Sequence, residues 1–213
     1  MRRGIFITFE GTEGGGKSTQ LKLLAERLRE TGREVVVLRE PGGTPIGEEI
    51  RHLLKHSEAN RAMTPEAELL LMCASRAQLV REVIRPALAA DRVVLCDRFY
   101  DSTIAYQGYG RELELTRVQA VVAFAVGDTC PDLTLFLHVP VALSEARRRQ
   151  RAGEQAQPRD RFEEADRAFF ERVERGFQAI AKAEPARVVT LDATGSIEAV
   201  HASIWEEVAA RLG

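Results

Sequence analysis

The chain has 213 residues and a formal net charge of −2, with 30 Lys and Arg against 32 Asp and Glu. It is long enough to bury the core of one domain, and the balanced charge excludes a global field that would draw it to nucleic acid or a membrane surface. Cys73, Cys96 and Cys130 show no C-x-x-C spacing and suit reduced thiols better than a disulfide framework or zinc site, and no apolar run reaches the ~18 residues of a membrane span.

In chain order, short apolar runs alternate with helical patterns. The first run, "GIFITFE" (4–10), enters a glycine-rich stretch and a helix pattern over 17–31. "EVVVLRE" (34–40) follows, then helix patterns over 46–56 and 64–89, and the run "RVVLCD" (92–97). A helix over 115–126 leads to "LTLFLHV" (133–139), and helices over 141–152 and 161–183 precede "RVVTLD" (187–192) and a last helix over 196–212. Runs apolar on consecutive positions suit strands buried on both faces of a parallel sheet. Their alternation with helices predicts an α/β fold with helices on both faces. No linker or internal repeat divides the chain, so one domain over 1–213 is expected. The polar segment "RAGEQAQPRDR" (151–161), with its Gly and Pro, reads as a mobile surface loop. The basic N-terminus precedes an apolar stretch too short for a signal peptide, and the chain reads as cytoplasmic.

The stretch "GTEGGGKS" has the spacing G-x-x-x-x-G-K-[ST], after a strand and at the start of a helix. Gly11, Thr12, Glu13, Gly14, Gly15, Gly16, Lys17, Ser18 and Thr19 thus form a candidate phosphate loop for ATP. Glycines admit the phosphates to the backbone, Lys17 reaches the β- and γ-phosphates, and Ser18 is a ligand for Mg²⁺. Asp97 ends a buried run where an acid commonly helps hold that metal, and Arg98 beside it is an anion clamp. His52 and His56, spaced i, i+4, lack a third metal ligand and read as surface histidines.

A phosphate loop alone does not separate a guanine-nucleotide switch, a motor ATPase and a small-molecule kinase. The chain has no N-K-x-D guanine-reading motif. Arg39, Arg51, Arg76 and Arg98 lie near strand ends. Arginine pairs bidentately with phosphate, and these residues together favour transfer to a phosphorylated acceptor. For any one of them a solvated helix face is the alternative. A kinase with a different acceptor and an idle nucleotide-binding module also stay open.

"FEGTEGGGKSTQ", "REPGGTPIGEEIR", "ASRAQ" and "DRFYDSTIAYQG", in this order, closely resemble the bacterial thymidylate kinase family over essentially the whole chain. The resemblance implies transfer from ATP to dTMP, giving dTDP, with Mg²⁺, and a homodimer. It also implies the P-loop fold of nucleoside monophosphate kinases, with a five-stranded parallel sheet and a mobile lid at about 147–161. Arg98 and Arg51 are then expected near the acceptor phosphate. Arg76, Thr103 and Gln107 read the thymine edge, with Ser102 on the same wall. Tyr106 crowds the sugar C2′ position, and Glu40 lines the pocket floor. Met72 stands where relatives have a phenylalanine that stacks on thymine. Glu13 takes a hydrogen bond from the acceptor 3′-OH. Gly14, where some relatives carry an arginine, puts this chain with those whose extra positive charge lies in the lid. "ARRRQRAGEQAQPRDR" supplies Arg147, Arg148, Arg149, Arg151, Arg159 and Arg161. Arg149 and Arg151 are the expected catalytic arginines, joined by Arg159 or Arg161.

Overall fold

The computed structural model describes residues 4–154 and 166–212. Its five-stranded sheet is parallel throughout, in the order β2-β3-β1-β4-β5. The strands are β1 (Phe6–Glu10), β2 (Val35–Arg39), β3 (Val93–Asp97), β4 (Leu133–His138) and β5 (Val188–Asp192). Every residue of β1 is buried, as are all but the last of β3 and β4, whereas the edge strands β2 and β5 are partly exposed. That is the burial expected of inner strands covered on both faces.

The covering helices are α1 (Lys17–Glu30), α2 (Pro45–Lys55), α3 (Pro65–Leu79), α4 (Arg85–Ala89), α5 (Tyr100–Thr103), α6 (Leu115–Val126), α7 (Val141–Glu154), α8 (Arg167–Ala183) and α9 (Ile197–Leu212). Side chains alternate across the sheet. Ile7 and Phe9 pack with Leu21, Leu24 and Leu28 of α1 and with Ile204 and Val208 of α9. Phe6, Val94 and Cys96 meet α3 and α6 on the opposite face. Thr44 and Thr64 cap α2 and α3 by accepting the backbone N–H groups of Gly47 and Ala67.

The strand expectations are met to within a residue or two. The helix α7 continues through Glu154 into the segment 151–161 read as a loop, and α8, expected from 161, is described from Arg167; residues 155–165 lie outside the described residues. Two further helical regions differ from the sequence reading. The pattern over 64–89 is a helix interrupted by a π-helical stretch, Val80–Ile84, just before Pro86. Proline has no N–H for the carbonyl four residues back, so the regular ladder cannot continue through it. The other region is "DRFYDSTIAYQGYG", which shows no apolar stripe yet forms α5 and a second π-helical segment, Ile104–Gly110. Tyr100, Asp101, Ser102, Thr103, Tyr106 and Gln107 are all buried, so polar residues fill positions that the periodic pattern reserves for apolar ones.

A buried polar thread joins this segment to the sheet. Thr8 and Thr134 hydroxyls meet at 2.8 Å across β1 and β4. Asp101 accepts from Thr134 at 3.1 Å and from both terminal nitrogens of Arg187 at 2.7 and 2.9 Å. The Asp101 side chain is fully buried and that of Arg187 is 10% exposed, so Asp101 depends on Arg187 for its charge, while Arg187 also reaches the half-exposed Glu184 at 2.8 Å. Replacing Asp101 with Ala is expected to cost about 3 kcal/mol in urea denaturation, because it removes the buried partner of two Arg187 nitrogens and leaves only the half-exposed Glu184 to face that charge.

Candidate active site

The carboxyl ends of β1, β3 and β2 meet at one edge of the sheet. The N–H of Arg98 donates to the Phe9 carbonyl at 2.9 Å, and that of Glu40 to the Asp97 carbonyl at 3.0 Å. Along that edge runs a cleft of about 670 Å³. At its centre the chain leaves β1 through Gly11, whose φ of +131° and approach to the Leu137 carbonyl admit no side chain. It enters α1 through Gly16 at φ +82°, and no side chain caps that helix. The first-turn N–H groups of α1 therefore keep their hydrogen-bonding capacity for an anion, with the helix dipole behind them.

Lys17 is buried against this loop, and its Nζ donates to the carbonyls of Thr12 at 2.9 Å and Gly11 at 3.2 Å. Burial, reinforced by the Arg98 charge, lowers its pKa to about 8 despite Asp97, Glu13 and Glu10 nearby. Ser18 Oγ donates to Asp97 Oδ2 at 2.6 Å, so both candidate metal ligands stand together at the helix start. Two hard oxygen donors suit Mg²⁺, which takes one or two protein ligands and completes its shell with water and substrate phosphates. Among the described residues no group of three or more His, Cys, Asp or Glu could hold a metal by itself.

Arg98 has left-handed backbone, φ +71°, which turns its side chain back over the loop. Its guanidinium donates to the Gly11 carbonyl at 2.9 Å, Ser102 Oγ at 3.0 Å and the Tyr106 hydroxyl at 3.3 Å. Burial opposes the charge, but Tyr106, Asp97, Glu10 and Glu13 outweigh it and hold the guanidinium pKa above its ordinary value. Glu10 stabilises this turn from β1. Its Oε1 accepts from the N–H of Phe99 at 2.7 Å and of Ser102 at 3.3 Å, and its Oε2 accepts from Ser102 Oγ. It thereby caps α5, which has no cap of its own. The sequence reading missed Glu10. Its signal was an acid closing an otherwise apolar strand directly before the glycine loop.

The remaining predicted acceptor residues converge at one end of the cleft, where Glu40, Arg51, Met72, Arg76, Ser102, Thr103, Tyr106 and Gln107 all line the wall with Glu13. Arg76 is only 2% exposed and is clamped by Glu40, with Nε at 2.8 Å and Nη2 at 2.7 Å from Oε2. Burial raises the Glu40 pKa although Arg76 opposes the shift. Arg51 donates to the Pro41 carbonyl at 2.9 Å. Met72 is half-buried beside the cluster of Tyr106, Phe169 and Phe177.

Toward the other end, Gly14, Gly15, Gly16, Lys17, Ser18 and Thr19 line the cleft, while Gly11 and Thr12 lie behind them. Arg147 of α7 bridges the Gly14 and Ala193 carbonyls at 3.3 and 3.2 Å. Ala193, Gly195, Ile197 and Val200, after β5, complete this end. They too were missed, although "DATGS" leaves a strand at the carboxyl edge where ligands gather in such sheets. Arg149 pairs with Glu145 at 3.4 Å, with a side chain 72% exposed, and is not part of the wall. Arg151 lies in the last turn of α7, and the lid positions Arg159 and Arg161 lie outside the described residues. His52 and His56 form a tilted ring pair, 6.0 Å between centroids, away from the cleft wall.

An uncapped helix start behind a glycine-rich loop, facing a cleft that Arg39, Arg51, Arg76, Arg98 and Arg147 also line, is the arrangement of a P-loop enzyme that handles phosphate groups. Comparison with known proteins agrees. The family model described as Thymidylate kinase matches residues 9–204. A thymidylate kinase of Pseudomonas fluorescens (strain Pf0-1) is 51% identical over 94% of this chain and 93% of its own length. One from Deinococcus radiodurans is 47% identical over 99% of both. The crystal structure of thymidylate kinase from Ehrlichia chaffeensis superposes with a TM-score of 0.78 at 35% identity, covering 97% of this chain and 98% of that one. The chain belongs to the thymidylate kinase family and is an enzyme.

One consequence of the site geometry is measurable without substrate. Burial, with Asp101 adding to it, raises the Glu10 pKa from 4.5 to about 7. The folded protein then keeps a proton that the unfolded chain gives up, so this group's contribution to stability falls as pH rises from about 4.5 to about 7. Denaturation midpoints followed across that window should decline with pH in the native protein, and Glu10→Gln should flatten the decline.

Proposed function

We propose that the cleft transfers the γ-phosphoryl group of ATP to the 5′-phosphate of dTMP. A phosphate oxygen of dTMP forms the new P–O bond, the bond from the γ-phosphorus to the bridging oxygen breaks, and dTDP and ADP leave. The observation that carries this reading is the shared cleft, with the loop of Lys17 and Ser18 on one side and the pocket of Arg98, Arg76 and Gln107 on the other. Such transfer needs positioning and charge stabilisation more than covalent help from the protein.

Each end has its own task. The α1 N–H groups and Lys17 hold the ATP phosphates. Ser18 and Asp97 would hold Mg²⁺, which neutralises phosphate charge when bound. Arg98 and Arg51 take the acceptor phosphate, and Arg98 is placed by Ser102 and Tyr106. Tyr106 is buried among aromatic rings, so its bulk is fixed where a ribose 2′-hydroxyl would have to fit. Arg76, Thr103 and Gln107 face the thymine edge, and the Met72 thioether packs on the base in place of an aromatic ring. Glu13 accepts from the 3′-OH; as a charged acceptor it makes a strong bond to a hydroxyl, and Lys17 offsets its charge near phosphate.

The segment at about 147–161 acts as a lid over the single domain in this proposal. Its closure brings Arg149 and Arg151 onto the transferred phosphoryl group, with Arg159 or Arg161, at positions outside the described residues, able to join them. Homodimer formation has support in an exposed apolar face on the packed pair α3 and α6, where Leu70 is 58% and Phe124 86% exposed. No helix among the described residues is long and apolar enough to cross a membrane. The enzyme is placed in the cytoplasm, with ATP and dTMP as partners and no nucleic acid.

ADP release measured with dTMP, dUMP, dCMP and dGMP tests the acceptor. Turnover should be strongest with dTMP and about 10–200-fold weaker in kcat/KM with dUMP, which lacks one methyl group. A preference for another acceptor would overturn the assignment. In the same assay Glu13→Ala should raise the KM for dTMP about tenfold while ATP affinity stays within about twofold. Replacing Arg149 and Arg151 together with Ala should lower kcat by on the order of 10³ and leave dTMP affinity nearly unchanged. An unaltered kcat would remove both from catalysis.

A further inference from the structure

Gln107 lies in the second π-helical segment and lines the acceptor end of the cleft, only 1% exposed. Its Nε2 donates to Glu68 Oε1 at 2.9 Å. A carboxylate has no proton to give, so the amide can lie only with its NH₂ toward Glu68, which leaves its carbonyl oxygen for a ligand. Glu68 sits on α3, is fully buried and is not part of the cleft wall. Arg111 fixes it with a fork, Nε at 3.2 Å from Oε1 and Nη2 at 3.0 Å from Oε2. The Arg111 guanidinium is held in turn over the Phe169 ring, 4.8 Å from its centroid. Arg111 and Gln107 thus both donate to the Glu68 carboxylate, which fixes the direction in which the amide must lie.

We propose that Glu68 is a positioning residue for base selection, one that locks the Gln107 amide with its oxygen toward the acceptor and thereby admits a pyrimidine with N3–H and refuses one with a bare N3. This rests on the reading that Gln107 faces the base of the acceptor. Thymine and uracil carry a hydrogen on N3, whereas N3 of cytosine is a lone pair. Against the Gln107 oxygen that lone pair meets another acceptor, and two buried acceptors left unpaired are a strong ground for rejection. An amide free to turn over would offer its NH₂ to cytosine and lose the distinction. Arg76 strengthens the polarity. Nε and Nη2 are committed to Glu40 and the Phe99 carbonyl, and Nη1 has only the Cys73 sulfur at 3.8 Å, so the group left to the base is a donor. Glu68 thus separates thymine from cytosine and has no bearing on the methyl that separates thymine from uracil.

The test compares kcat/KM for dTMP, dUMP and dCMP in the native enzyme, Glu68→Gln and the double variant Glu68→Met/Arg111→Met. An amide at position 68 can present either its oxygen or its NH₂ to Gln107, which releases the lock. The dTMP-to-dCMP ratio should narrow about tenfold or more in Glu68→Gln, while the dTMP-to-dUMP ratio stays within about twofold. A merely structural role would lower all three substrates in parallel or narrow both ratios together, and either result overturns the proposal. If Glu68→Gln fails to fold, the double variant Glu68→Met/Arg111→Met, which removes the carboxylate together with its buried counter-charge and so frees the Gln107 amide, carries the same test: a narrowed dTMP-to-dCMP ratio supports the lock, and an unchanged one overturns it. A native enzyme inactive on dTMP would overturn the acceptor reading and this proposal with it. Native turnover of dTMP with unchanged variant ratios would overturn this proposal alone.

Discussion

All strands of the sheet point the same way, and that constraint places the chemistry. Parallel register brings Phe9 beside Asp97 and Arg39 beside Asp97 from the other side, so three strands end together. The residues that follow, Gly11, Glu40 and Arg98, are thereby delivered to one edge although they are far apart in sequence. The helix after β1 then points its unclaimed N–H groups at the space the other strand ends enclose. The cleft is the place where a parallel sheet has no connection of its own to fill the gap.

Bringing so many charges out of water requires compensation, and the compensation explains most of the polar architecture around the site. Arg76 is held by Glu40, Arg98 by two neutral oxygens and a backbone carbonyl, and Arg187 by Asp101 behind the cleft. These contacts leave each side chain with one orientation, which a site that must align two nucleotides needs more than it needs raw affinity. The tilt of Arg98 depends on Ser102, Ser102 depends on Glu10, and Glu10 belongs to the strand that opens the phosphate loop. Arg98 and the strand that opens the phosphate loop are therefore mechanically joined through one buried carboxyl group.

Much of this was legible in the sequence, and the boundary has physical causes. Apolar runs without alternation identify buried parallel strands directly, and the loop spacing fixes the phosphate end because few residue types tolerate its backbone. The segment after Asp97 could not be read as helix, because Asp101, Ser102 and Gln107 are buried by virtue of partners distant in the chain. The same holds for Glu10, Glu68 and Arg187, whose meaning lies in a partner 39 to 92 residues away. Arg149 has an i, i+4 partner in Glu145, and a single sequence does not separate such a helix-surface arginine from one that reaches phosphate. Arg147, two positions earlier, touches the loop because the helix turn aims it there.

Lys17 bonded to the carbonyls of its own loop has a thermodynamic consequence of a different kind. The Lys17 ammonium is satisfied by two peptide oxygens of its own loop, so a phosphate that takes it competes with bonds already made. It must exchange with two peptide oxygens, and the measured affinity is the difference between two satisfied arrangements. Because the confined amine sheds its proton more readily than a free one, an arriving polyphosphate also draws a proton from solvent on the alkaline side of about pH 8. Nucleotide binding above about pH 8 is therefore expected to take up a proton, with an enthalpy that varies with the ionisation enthalpy of the buffer.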